Sequence, residues 1–139
     1  MHVSSDNTSR ASIGTSYDLA KTHSHDLLSN TPAFQRNATW RGYLESITVL
    51  TSSWAGGTPP TSITLAVTAD AAGDIVLVPS TTATLEAALT TASSGGAAFK
   101  VATPLTIVAG SAGDGTLYIH VKTDSGTLTL DNTTVIWSE

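Results

Sequence analysis

An all-β fold is what this chain predicts: an antiparallel β-sandwich of the jelly-roll type with an extended N-terminal arm. Three observations carry the prediction. Short apolar–polar alternations recur along residues 40–139, each bounded by Gly, Pro, Asp or Asn. They predict eight or nine strands at spacings of roughly ten residues, as in sandwiches and barrels. Charged residues supply only 12% of the chain, about half the usual share, and Thr and Ser supply the missing polarity. Thr is β-branched and suits a pleated surface, whereas a helical bundle needs more Lys and Glu. Finally, no long helical periods alternate with the strands, so a parallel α/β sheet is not expected.

Residues 1–39 read differently from the rest and are expected to form the arm, with the β-domain at 40–139. The run from Ser4 to Arg10 has no periodicity, and apolar residues then come singly at Ile13, Tyr17, Leu19, Leu27, Leu28 and Phe34. Pro32 ends any helix begun near 18–21. Such a segment is a flexible tail unless a partner surface repays the entropy of ordering it. Tyr17, Leu27, Leu28 and Phe34 are the anchors an arm would lay on a neighbour.

Residues 40–51 are the first strand. Tyr43, Ile47 and Val49 share one side, and Glu45 in the same register argues for an edge or a bend. Residues 52–61 hold Gly56-Gly57 and Pro59-Pro60 and read as a loop. Trp54 falls in it, as a lid over the core or as a contact residue. Residues 62–69 alternate with Ile63, Leu65 and Val67 inward, and 70–74 make a Gly-containing turn. Residues 75–78 are apolar on both faces and read as a central strand that Pro79 limits. Strands at 97–102 and 105–108 follow, with Pro104 between them.

The last quarter is the most densely patterned and is taken as the floor of the core. Leu117, Ile119 and Val121 point one way, and Tyr118, His120 and Lys122 the other. Thr123-Asp124-Ser125-Gly126 supplies a turn, and Leu128 and Leu130 face inward after it. Asp131-Asn132 is expected to turn again before a strand that buries Val135 and Trp137.

Composition excludes several function classes. The six Lys and Arg residues are scattered and the net charge is −5, so the basic cluster that nucleic acid requires is missing. No apolar run reaches about 18 residues, so no membrane-spanning helix is expected. The first ten residues lack the basic and apolar regions of a secretory signal. There is no cysteine, which excludes disulfides and thiolate sites.

Candidate chemistry is sparse. His23-Ser24-His25-Asp26 resembles a fragment of a metal site, but nothing completes the shell, and a solvated loop is the reading adopted. His120 reads as part of the polar outer face of its strand. Asp70, Asp74, Asp114, Asp124 and Asp131 all sit where turns choose Asp for local hydrogen bonds. No carboxylate pair, nucleophile motif or phosphate cradle is present, so no catalytic, cofactor or metal residue is assigned and no enzyme is expected.

From Ser62 onward the chain resembles small β-proteins encoded beside the major coat protein of tailed bacteriophages. The resemblance lies in SITLAVTADAAGDIVLVPSTTATLE (62–86), AAFKV (97–101) and TLYIHVKTDSGTLTLDNTTVIW (116–137). It implies a capsid decoration or cement protein on the outer surface of the virion, a homotrimer that binds and clamps the major capsid protein. The residues expected to make the contact are Tyr17, Leu27, Leu28, Phe34 and Trp54. The alternative is a carbohydrate-binding β-sandwich of a tail fibre or host-attachment protein.

Overall fold

The computed structural model describes residues 1–27, 29, 41–85, 95–106 and 115–138, with backbone alone at 41, 95–98 and 100–106. Nine strands lie among them: β1 (His2–Asp6), β2 (Arg10–Ile13), β3 (His23–Asp26), β4 (Arg41–Ala55), β5 (Ser62–Thr68), β6 (Val76–Thr84), β7 (Gly95–Thr106), β8 (Thr116–Thr123) and β9 (Thr127–Ser138). They form two antiparallel sheets. One runs β1-β9-β4-β7, with β2 following β1 along the same edge of β9, and the other runs β3-β8-β5-β6. Counting β1 and β2 as one broken strand, the first sheet reads first–eighth–third–sixth and the second reads second–seventh–fourth–fifth. This is the double Greek key of a jelly roll.

The expected alternation fills the space between the sheets. Ile47 and Val49, Ile63, Leu65 and Val67, Leu117, Ile119 and Val121, and Leu128, Leu130, Val135 and Trp137 all lie in one buried cluster. Irregular registers explain where the pattern broke. Leu44 pairs with Trp137 but Ser46 pairs with Ile136, which leaves Glu45 as the extra residue of a β-bulge. The bulge reverses which side faces in, so Leu44 is buried and Tyr43, expected inward, is exposed. Residues 131–132 are likewise no turn. Leu50 pairs with Asn132 and Thr51 with Leu130, so Asp131 is a bulge within a continuous β9.

Both mid-strand prolines sit on strands that end their sheets among the described residues, the place where a lost ladder N–H is best tolerated. Val67 pairs with Val78 and Leu65 with Thr81, so Pro79 lies in a bulge and β6 runs on to Thr84. As an edge strand, β6 leaves Val76 exposed rather than central. Pro104 lies within β7, opposite Tyr43, so one strand replaces the two expected there. The loop after β4 starts later than expected, and Trp54 belongs to β4, paired with Leu128.

The arm expected at residues 1–39 is corrected over the residues described. Residues 2–6 and 10–13 pair with β9, and residues 23–26 pair with β8. Residues 28 and 30–39 lie outside the described residues. Sequence periodicity missed these strands because their inward positions carry Ser4, Asp6, His23 and His25 instead of aliphatic side chains.

The turn after β8 is tied to the start of β5. Asp124 Oδ1 accepts the N–H groups of Thr61 (3.0 Å) and Ser62 (3.3 Å), and Oδ2 accepts the Thr61 hydroxyl (2.6 Å). Gly126 follows at φ 61°, and a Cβ there would drive into the Ala55 carbonyl oxygen. Gly126→Ala is expected to lower stability by about 2 kcal/mol. An unchanged urea midpoint would show that the turn adapts.

Candidate functional site: a groove over His120 and a buried histidine chain

Residues 14–22 carry the chain from β2 to β3 and cross the outer face of the second sheet. Gly14 O accepts the Thr123 N–H at 2.9 Å. The Tyr17 hydroxyl bonds Ser80 of β6 at 2.7 Å, and Lys122 Nζ stands 4.8 Å from the centre of the Tyr17 ring. Beneath this strap, His120 is only 4% exposed, although its strand alternation placed it on a solvated face. That expectation is corrected: the strap, not the core, buries the ring, and Tyr17 meets it edge-on at 6.1 Å.

The hydrogens around His120 can be assigned. Thr68 Oγ1 lies 2.7 Å from the Asp70 carbonyl, which only accepts, so the hydroxyl donates there. It must then accept from His120 Nε2–H at 2.8 Å, which leaves Nδ1 to accept from Thr22 Oγ1 at 3.1 Å. Both ring nitrogens are used. Burial pushes the His120 pKa down against the pull of Asp70.

Beside the ring lies a groove of about 330 Å3, walled by Leu19, Ala66, Ala72, Val76 and Pro79 and touched by Tyr17, Thr68 and Ser80. Its lining is mostly aliphatic. The Tyr17–Ser80 pair shares one hydrogen and keeps a second to donate, so the groove can take an uncharged, largely apolar group that accepts one hydrogen bond.

His23 and His25 are also corrected, from solvated loop to buried strand: they are 0% and 1% exposed. His23 Nε2 lies 2.8 Å from the Thr8 carbonyl, so it carries the hydrogen, and Nδ1 accepts from Thr133 Oγ1 at 2.9 Å. With its hydrogen committed, Thr133 Oγ1 accepts from His25 Nε2–H at 2.8 Å, and His25 Nδ1 accepts from Ser4 Oγ at 3.0 Å. Both rings are neutral in this arrangement. Burial lowers the pKa of His23, opposed by Asp6, and lowers that of His25 to about 4. Burial works to raise the Asp6 pKa, but the Thr8 N–H (2.9 Å) and the His23 ring hold it below the usual carboxylate value. Among the described residues, no three His, Asp or Glu side chains converge to hold a metal.

The three expected contact residues that are described, Tyr17, Leu27 and Trp54, do not share one exposed surface. Tyr17 is half-buried in the strap. Leu27 is fully buried in the core, which corrects its assignment as an exposed anchor. Trp54 is half-buried against the core cluster, as a lid would be, and its Nε1 has no hydrogen-bond partner among the described residues. Leu28 and Phe34 lie outside the described residues. The His-x-His spacing singled out in the sequence does put two side chains on one face of a strand, and what it did not carry was their burial.

No protein-family model matches the chain, and no curated protein matches it. The solved structures similar to it include tobacco streak virus coat protein, at TM-score 0.34 and 7% identity, covering 99% of this chain and 86% of that one. Desmodium yellow mottle tymovirus is similar at TM-score 0.33 and 14% identity, covering 98% and 85%. A family two carbohydrate esterase from Cellvibrio japonicus is similar at TM-score 0.35 and 11% identity, covering 96% of this chain. This chain spans about a third of the esterase chain, 32%. Virus coat protein is thus among the likenesses, all at TM-scores that leave function open.

Proposed function

We propose that this protein is a structural component of a virion, a decoration or cement protein on the outer capsid surface that clamps neighbouring major capsid subunits. The observation that carries the reading is the jelly-roll connectivity of the two sheets. A fold alone hosts many functions. The reading is narrowed by the resemblance of residues 62–86, 97–101 and 116–137 to phage proteins of this kind.

The outer face of the first sheet suits such packing. Register places Val3, Ser5, Ser46, Thr48, Leu50, Asn132, Thr134 and Ile136 there, with Lys100 of β7 opposite Ser46 and Glu45 exposed at the bulge as charged positions. Ser5 and Thr134 bond each other at 3.1 Å, and Val3 and Leu50 are about half exposed, 48% each. Its hydroxyls and aliphatics can be covered by protein at little cost, and Lys100 and Glu45 would need charged or polar partners on the covering surface. On this reading the protein catalyses nothing and takes no cofactor. It acts as a trimer whose copies each bind weakly and together bind tightly.

The test is co-sedimentation of the purified protein with capsids that lack it. Saturation at a fixed ratio to the coat subunits, with new density on the outer surface, is expected. Protein left in the supernatant at every concentration would overturn the reading. The Tyr17 ring at the edge of the groove, and not the aliphatic groove itself, is the feature that favours a second reading, a carbohydrate-binding module of a tail fibre or host-attachment protein. Glycan-array binding that is lost on Tyr17→Ala would select it.

A further inference from the structure

One side of the sandwich is closed by the edge strands of both sheets: β1 and β2 on one and β3 on the other. Few apolar groups hold the first two in place, since Ile13 is their one residue in the buried apolar cluster. What joins them to β3 is the directed chain from Ser4 through His25, Thr133 and His23 to the Thr8 carbonyl. Each hydrogen in it is committed. An added proton makes a donor of a nitrogen that now accepts. On His23 that nitrogen faces the Thr133 hydroxyl, which already accepts from His25 and would lose the acceptor for its own hydrogen inside the protein. On His25 it faces Ser4, whose hydroxyl must reverse. The charged and titratable groups facing the two rings are Asp6 from β1, Arg10 from β2 and each ring itself. Asp6 favours protonation, and Arg10 opposes it at His23.

We propose that this chain is an acid-sensitive latch: proton uptake by the His23–His25 pair parts β1 and β2 from β3 and from β9, while the β8-β5-β6 and β4-β9 pairings persist. Opening is local because the two strands bury little apolar surface of their own. It bares the edge of β9 between residues 128 and 137, an unpaired template for a strand of another copy.

The test is amide exchange, corrected for intrinsic rates, together with imidazole NMR titration of the whole chain. The β1 and β2 amides are expected to lose at least about tenfold protection between about pH 7.5 and about pH 4.5, while β5 and β8 keep theirs. His25→Phe removes one titrating ring together with its hydrogen bonds to Ser4 and Thr133, so it is expected to lower β1 protection at about pH 7.5 and to shrink the further loss on going to about pH 4.5. Imidazoles that titrate with no change in the β1 amides would overturn the latch. So would loss of protection in all strands together. Should His25→Phe fail to fold, the wild-type exchange pattern decides alone.

Discussion

Trp137→Ala is expected to cost about 3–5 kcal/mol of unfolding free energy, the range of a buried aromatic removed from a packed core. Trp137 is fully buried on β9, between His2 of β1 and Leu44 of β4. His2 stacks on it with ring centres 5.2 Å apart and planes at 22°. One effect works against the loss. The indole N–H is buried with no partner among the described residues, so its removal relieves an unmet donor worth about 1–3 kcal/mol. The lower half of the range is therefore the sharper expectation. Trp137→Phe separates the two effects, since it keeps most of the burial and drops the N–H, and a loss below about 1.5 kcal/mol is expected. Urea unfolding at neutral pH measures both. A cost under about 1 kcal/mol for the Ala variant would mean that this end of β9 is not packed as described.

Acidification is the second large effect. His25 has a folded-state pKa of about 4 against an unfolded value of 6.5. Above 6.5 the ring is neutral in both states and contributes no pH dependence. Between 6.5 and 4 the unfolded chain binds more protons, so stability falls as pH falls, and below 4 the loss levels off. A gap of about 2.5 units at 1.36 kcal/mol each makes the full loss about 3 kcal/mol. His23 is shifted in the same direction and adds to it. Asp6, held below the usual carboxylate value, extends the loss to still lower pH. Urea midpoints across this range, read beside those of His25→Phe, measure the term. Parallel curves for the two proteins would show that His25 contributes nothing. Local opening of β1 and β2 lets the rings take up protons short of global unfolding, so about 3 kcal/mol is a ceiling for the His25 contribution alone.

The site was legible only in part. Tyr17 stood out as an isolated aromatic, but its role as cover for His120 depends on a strap crossing three strands of the second sheet. Nothing local to His120 records that strap, because alternation along β8 gives a side chain's face and not what lies over that face. His23 and His25 shared a face by spacing alone. Their burial was invisible because a polar residue at an inward position looks like a solvated one until its partners, Thr133 and Ser4, arrive from far along the chain.

What the sequence determined by itself was the class of fold and the inward face of its regular strands. Apolar residues at every second position must find a shared interior, so Ile63 to Val67, Leu117 to Val121 and Val135 to Trp137 could be placed before any pairing was known. It also determined that Asp124 and Gly126 turn the chain, since that chemistry is local. Tertiary structure decided everything that depends on a neighbour. It decided that Glu45 and Asp131 bulge, because a bulge is a mismatch between two strands and not a property of either. It decided that Pro79 and Pro104 are tolerated, because only a strand's place at the sheet edge makes a missing N–H harmless. And it drew β1, β2 and β3 into the sandwich, because hydrogen bonds among Ser4, His23, His25 and Thr133 offset a polar burial that no single segment could sustain.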